Sequence, residues 1–78
     1  MGRWKRPLEA REVKTILKAL GFVFREQRGS HEQWVSIGLP FRKVTLDCPK
    51  APFSHTLIQS MARQARVTVK QFYEALDQ

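Results

Sequence analysis

Residues 22–36, FVFREQRGSHEQWVS, decide the fold that this sequence predicts. The first part, FVFREQ at 22–27, is rich in aromatic and β-branched residues, which favour a strand. Arg28-Gly29-Ser30 has the residue types of a tight turn, and an extended pattern resumes from His31 to Ser36. The two extended runs are therefore predicted to pair as an antiparallel hairpin, with His31 as the first residue of its second strand.

The segments beside the hairpin extend this pattern. Before it, Pro7 and Gly21 are suited to the start and the end of a helix. After it, a turn at 37–40 leads into a third predicted strand over residues 41–46, and the prolines at 49 and 52 exclude further sheet. The helix before the hairpin has one apolar face with i, i+3, i+4, i+7 spacing, formed by Val13, Ile16, Leu17 and Leu20.

Two further helices are predicted at the end of the chain. Helical spacing of apolar residues runs from Ser54 to Ala65, with Thr56 as the predicted N-cap and Gln59 as its capping-box partner. Thr68 and Gln71 repeat that signature at the start of the last helix.

The element order, α-β-β-β-α(-α), predicts an α+β two-layer sandwich. Helices would cover one face of a three-stranded antiparallel sheet, and the other face would be largely open to solvent. Seventy-eight residues allow no more than one domain. We therefore expect a basic N-terminal arm at residues 1–6, which includes Trp4, and a single domain over residues 7–78.

The charge of the chain predicts the class of its partner. Fourteen Lys and Arg against seven Asp and Glu give a net charge of +7, which favours a polyanion. No stretch approaches the ~20 apolar residues of a membrane-spanning helix. Cys48 is the single cysteine, so it cannot form an internal disulfide, and with two histidines it cannot complete a closed zinc site. We therefore expect a reduced, cytoplasmic protein without a metal, a small-molecule cofactor or a membrane contact.

His31 is the candidate for chemistry. It follows a Gly-Ser step and no apolar residue flanks it, so it is predicted to be exposed. Histidine can donate or accept a proton near neutral pH, and proton transfer beside a held phosphodiester is what RNA cleavage without a metal requires. A histidine that only supports the turn is the alternative, and either Asp47 or Glu32 could orient the ring. Four cations predicted in the same sheet could hold the phosphate: Arg25, Arg28, Arg42 and Lys43.

Five short stretches together resemble the HicA-type mRNA interferases, the toxins of HicA–HicB toxin–antitoxin pairs. The stretch RGSH, which follows a strand that begins with Gly-Phe, is the most specific of them. Their order and spacing along nearly the whole chain carry the resemblance. They are EVKTILKALGF at 12–22, RGSH at 28–31, KVTL at 43–46, SMARQA at 60–65 and VTVKQF at 67–72.

The resemblance implies a fold related to the double-stranded-RNA-binding domain, in agreement with the element order predicted above. It also implies endonucleolytic cleavage of messenger RNA without a metal, with His31 as the catalytic residue and with Gly29 and Ser30 in the turn that presents it. The implied partner besides mRNA is a HicB-like antitoxin protein that blocks or distorts the region around His31.

Several positions depart from the family pattern or have open roles. The entry to the second predicted helix is His55-Thr56-Leu57 instead of a Lys-Gly-Thr step, and Arg66 replaces a glycine. Arg66 is therefore expected to end the helix in the left-handed conformation. His55 could contact a phosphate at the helix start or be solvated. Trp34 and Phe53 could stack on bases or belong to the core.

The sequence leaves three functions open. The first is a HicA-like, metal-independent endoribonuclease toxin. The second is a non-catalytic RNA-binding module with the same fold, and the third is a protein-interaction subunit that has lost activity on RNA. Cleavage of a single-stranded transcript, and its loss on replacing His31, separates the first from the other two.

Overall fold

Helices and strands follow one another in the order that the sequence predicts. The computed structural model describes residues 6–77, so Trp4 and residues 1–5 of the predicted arm lie outside the described residues. The α+β class is confirmed. The elements are α1 (Ala10–Ala19), β1 (Phe22–Arg28), β2 (His31–Ser36), β3 (Lys43–Asp47), α2 (His55–Ala65) and α3 (Val69–Glu74), with 3-10 turns at Cys48–Lys50 and Ala75–Asp77.

The three strands form one antiparallel sheet in the order β1-β2-β3, and its register gives it one apolar face. Phe24 on β1 and Val44 on β3 lie opposite Trp34 on β2. Trp34 is only 3% exposed, and its indole N–H donates to the Glu32 carboxylate at 3.0 Å. Trp34 therefore belongs to the core and is not available to stack on an RNA base.

The other face of the sheet is open, as predicted, and it carries the alternate residues of β2. His31, Gln33 and Val35 lie on this face because successive side chains of a strand point to opposite sides. Along β1 the register shifts between Phe24 and Glu26, so a β-bulge places one extra residue in that strand.

The helices complete the core on the apolar face. Phe53 is 2% exposed and exchanges backbone hydrogen bonds with Leu8, at 2.8 and 3.3 Å, so it closes the core as the alternative reading expected. Arg6, the last residue of the predicted arm, is attached to the domain. Its guanidinium binds the Glu12 carboxylate at 3.0 Å, and its carbonyl accepts the Tyr73 hydroxyl.

The starts of two helices differ from the prediction. Helix α1 begins at Ala10, three residues after Pro7, because Glu9 acts as the N-cap. The Glu9 backbone N–H donates to the Glu12 carboxylate at 2.9 Å. Helix α2 has Ser54 as its N-cap, since the Ser54 hydroxyl accepts the Leu57 N–H at 3.4 Å. The prediction of Thr56 as N-cap and Gln59 as its partner is therefore wrong.

Strand β3 also begins later than predicted, at Lys43 instead of residue 41. The backbone of Arg42 closes the β2–β3 connection in the preceding turn. Its N–H donates to the Ser36 hydroxyl at 2.8 Å, and its carbonyl accepts the Ser36 N–H at 2.9 Å.

The connection between α2 and α3 confirms two predictions. Arg66 caps α2 in the left-handed conformation, with φ 63° and ψ 40°. Thr68 and Gln71 form the predicted capping box of α3, in which the Thr68 hydroxyl accepts the Gln71 N–H at 3.0 Å and the Gln71 side chain accepts the Thr68 N–H at 2.9 Å. Over residues 6–77 no helix is both long and apolar enough to span a membrane.

Candidate active site

His31 stands at the start of β2 with half of its side chain (51%) exposed. Gly29 adopts the left-handed conformation, with φ 60°, and this allows the tight turn that brings β1 back into β2. The hairpin register then places Arg28 directly opposite His31. Strand pairing on both sides of β2 fixes the backbone of His31. Its imidazole ring remains accessible from solvent.

Asp47, the last residue of β3, is the carboxylate beside the imidazole. It lies opposite His31 in the sheet, and its Oδ2 is 3.4 Å from Nε2 of the ring. The Ser30 hydroxyl donates to the other carboxylate oxygen at 3.4 Å, and Lys50 Nζ lies 3.9 Å from Oδ2. Asp47 therefore holds together the turn, the imidazole and a cation.

Glu32, the other carboxylate that could have oriented the ring, lies on the opposite face of the sheet. It accepts hydrogen bonds from Lys14 Nζ at 3.1 Å, the Trp34 indole at 3.0 Å and Cys48 Sγ at 3.4 Å. Burial raises the pKa of Glu32, but the bonds from Lys14, Trp34 and Cys48 outweigh it, so this pKa lies below its ordinary value. Glu32 is thus a structural group and Asp47 is the neighbour of His31.

The same contacts favour the protonated form of the Cys48 thiol. Burial raises the pKa of the Cys48 thiol, and the hydrogen bond to Glu32 raises it further. A thiol whose pKa is raised is a poor nucleophile. Cys48 is therefore not a candidate nucleophile of this site.

A groove of about 220 Å³ opens beside His31, between β3 and α2. Asp47, Lys50 and His31 line one end of it, and helix α2 forms its far wall. The Gln64 side chain on α2 accepts the backbone N–H of Thr45 at 3.0 Å. The groove is therefore held in shape by a hydrogen bond between the helix and the sheet edge.

The predicted cations are divided by the structure. Arg28 is beside His31 and binds Glu26 at 2.9 Å. Arg25 is exposed and lies in the bulge of β1. Lys43 is exposed on the open face opposite Val35, four residues along β3 from Asp47 and so roughly 13 Å from it.

Arg42 is engaged within the fold. Its guanidinium stacks over the Phe22 ring, 4.9 Å from the centroid, and donates to the Ala65 carbonyl at the end of α2 at 3.0 Å. The structure thus brings Arg28 and Ser30 to His31 but places Arg42 and Lys43 at a distance from it.

His55 is the first residue of α2, and its Nδ1 is buried without a hydrogen-bond partner among residues 6–77. It does not line the groove at His31. The groups that sequence reasoning missed are Lys50 and the α2 residues of the groove. Within the described residues 6–77, no three His, Cys, Asp or Glu side chains are placed to bind a metal ion together.

Comparison with known families bears directly on this arrangement. The family model described as the HicA toxin of bacterial toxin–antitoxin matches residues 10–67, which include α1, the whole sheet and α2. The chain belongs to the HicA toxin family. The match covers both His31 and Asp47, so the site described above lies within the HicA domain. No individual curated protein and no solved structure shows significant similarity to the chain.

Proposed function

We propose that this HicA toxin is an endoribonuclease that cleaves messenger RNA without a metal and is held inactive by a HicB-like antitoxin. The observation that carries the proposal is the His31–Asp47 pair. An accessible imidazole on a rigid strand, 3.4 Å from a carboxylate and next to cations, is the arrangement that proton transfer beside a phosphate requires.

In the proposed reaction, His31 accepts the proton of a ribose 2′-hydroxyl. The 2′-oxygen then attacks the adjacent phosphorus, the bond from phosphorus to the 5′-oxygen breaks, and the leaving 5′-oxygen takes up a proton from water. The products are a 2′,3′-cyclic phosphate and a 5′-hydroxyl. Asp47 keeps the ring in position and stabilises the imidazolium that forms when His31 has taken the proton.

The phosphate gains negative charge as it is attacked, and cations next to it stabilise that charge. Lys50 and Arg28 are the proposed groups, since they flank the imidazole on its two sides. Gly29 and Ser30 shape the turn that carries His31. Arg25 and Lys43 would bind phosphates further along the RNA, whereas Arg42 serves the fold through Phe22 and Ala65.

Cleavage of a single-stranded transcript by the purified protein, with a chelator present, tests this proposal. We expect fragments from the wild type and none from His31→Ala, with the affinity for RNA preserved. His55→Ala, which removes the other histidine of the chain, is the matched control and should cleave normally. RNA binding without fragments would indicate a binding module instead, and neither binding nor cleavage would indicate an interaction subunit.

The biological setting has a separate test. Expression of the wild type should arrest growth, and co-expression of the product of a neighbouring open reading frame should relieve the arrest. His31→Ala should not arrest growth at comparable expression. Arrest by His31→Ala would contradict the proposed role of cleavage in toxicity.

A further inference from the structure

We propose that the groove between β3 and α2 holds one unpaired RNA nucleotide next to the cleaved bond, and that Gln64 selects its base. This inference rests on the proposed function and names its substrate class, single-stranded RNA. It begins from the continuity of the groove with the site, because His31, Asp47 and Lys50 line the same groove as residues of α2.

Helix α2 presents two kinds of side chain to the groove. Leu57 and Met61 are four residues apart, as are Ser60 and Gln64, and residues at this spacing stand one above the other on a helix. One row is therefore apolar, with Leu57 partly buried and Met61 only 5% exposed, and the next row is polar. An apolar surface beside hydrogen-bonding groups suits a nucleobase, which has an apolar face and a polar edge.

The orientation of the Gln64 amide is fixed. Its Oε1 accepts the Thr45 N–H at 3.0 Å, which leaves the Nε2 donors unused by the other described residues. Gln64 is exposed and lines the groove, so these donors are accessible to a ligand. A fixed donor favours a base that presents an acceptor, and it disfavours a base that presents a donor at the same place.

The shape of the groove favours an unpaired nucleotide over a duplex. Its walls are a helix and the edge of a sheet, joined by the Gln64–Thr45 hydrogen bond, and its volume of about 220 Å³ suits a single base and not a stacked base pair. Proteins read unpaired RNA bases on such surfaces, whereas they read duplex RNA mainly by shape. A base held in the groove would place its ribose and phosphate toward His31 and Lys50.

The variant Gln64→Glu tests the inference with little disturbance of the fold. Glutamate keeps an acceptor for the Thr45 N–H and replaces the Nε2 donors by a carboxylate oxygen. We expect the preference for the base at the cleavage site, measured as a ratio of kcat/KM on oligonucleotides that differ at one position, to fall by about fivefold, the factor for one hydrogen bond of ordinary net strength.

Gln59→Glu is the matched control, because it makes the same change of charge on an exposed residue of α2 outside the groove. It should leave the preference unchanged. A ratio is used because repulsion between an added carboxylate and RNA slows every substrate alike. If the wild type cleaves RNA and Gln64→Glu has the base preference of Gln59→Glu, the inference is wrong while the proposed function stands.

A binding measurement keeps the inference testable even if the wild type does not cleave RNA. A short unpaired oligonucleotide is added to the full chain, and backbone amide signals are followed by NMR. Shifts at Thr45, Ser60 and Gln64 that are lost in Gln64→Glu would support the groove as a nucleotide site. Binding that leaves these three signals unmoved, or no binding at all, would overturn it.

Discussion

At the scale of single residues, Asp47 offers the most direct test of the proposed chemistry. It touches His31 through one carboxylate oxygen at 3.4 Å, so Asp47→Asn preserves its size but removes the charge that stabilises an imidazolium. General acid–base catalysis contributes about 10²–10⁴-fold to a rate, and we expect the variant to lose about tenfold to a hundredfold of it. The measurement is kcat/KM on a short oligonucleotide, together with its affinity for the protein.

A double-variant cycle shows whether Asp47 acts through the imidazole. The residual rate of His31→Ala, too slow to give fragments in the gel assay, is measured with the protein in excess, and Asp47→Asn should not lower it further because the group that Asp47 positions is absent. An equal loss in both backgrounds, or a loss confined to RNA affinity, would contradict the positioning role.

The sequence predicts this site unevenly, for physical reasons. Gly29 and His31 could be identified from local residue types, because a glycine turn and a histidine without apolar neighbours are features of a few adjacent residues. Asp47 could be named only as one of two candidates. Its place beside His31 depends on the register of β2 against β3, and a shift by one residue would turn it to the other face. Gln64 could not be found, since its role depends on how α2 packs against the sheet edge.

At the scale of elements, Glu32 joins three parts of the fold. It lies on β2 and binds Lys14 of α1 and Cys48 of the turn after β3, with only 12% of its side chain exposed. Glu32→Gln keeps the shape of the side chain and removes the charge. Because hydrogen bonds to charged groups contribute about 1.5–3 kcal/mol, we expect the free energy of unfolding at pH 7 to fall by about 1–2 kcal/mol.

The sign of the pH dependence follows from the pKa of Glu32, which is lowered in the folded protein. As pH falls, the unfolded chain takes up the proton first. The contribution of Glu32 is therefore complete above the ordinary carboxyl pKa of about 4.3 and is lost as pH falls through the lower folded-state value. Denaturant unfolding at pH 7 and pH 3 should show a smaller difference between wild type and Glu32→Gln at pH 3. Glu74→Gln, on the exposed side of α3, is the control. If the difference in unfolding free energy between wild type and Glu32→Gln is the same at pH 3 as at pH 7, the stabilising role of the Glu32 charge is contradicted.

The elements themselves could be predicted more fully than their ends. Apolar periodicity identifies α1, and turn residues separate the strands, because both signals are local. The start of α2 could not be located as well, since Ser54 and Thr56 are both good capping residues, and the helix uses Ser54, which directly follows the buried Phe53. The predicted start of β3 is too early because the backbone of Arg42 bonds to Ser36 and closes the turn before the strand, which is a contact that local residue types do not reveal.

At the scale of the whole molecule, part of the basic charge that contributes to the net +7 is paired with carboxylates inside the fold. Within residues 6–77, acidic side chains pair with neighbouring cations: Glu12 with Arg6, Glu26 with Arg28, Glu32 with Lys14 and Asp47 with Lys50. The open face of the sheet carries His31 at one end and Lys43 at the other. RNA that extends from the groove along this face would therefore contact Lys43. The exposed side of α1 belongs to the helical layer, so the same RNA would not contact it.

The salt dependence of RNA binding tests whether this face is the one used. Binding of single-stranded RNA to His31→Ala, which is not expected to cleave it, should weaken with salt with a slope of about −0.7 per phosphate contact on logarithmic axes. Adding Lys43→Ala should reduce the slope by about 0.7, because one contact is lost. Lys18→Ala removes the same charge from an exposed position on α1 and should leave the slope unchanged. If both lysine variants reduce the slope equally, RNA is attracted by the net charge of the whole molecule, and the sheet face has no special part in binding.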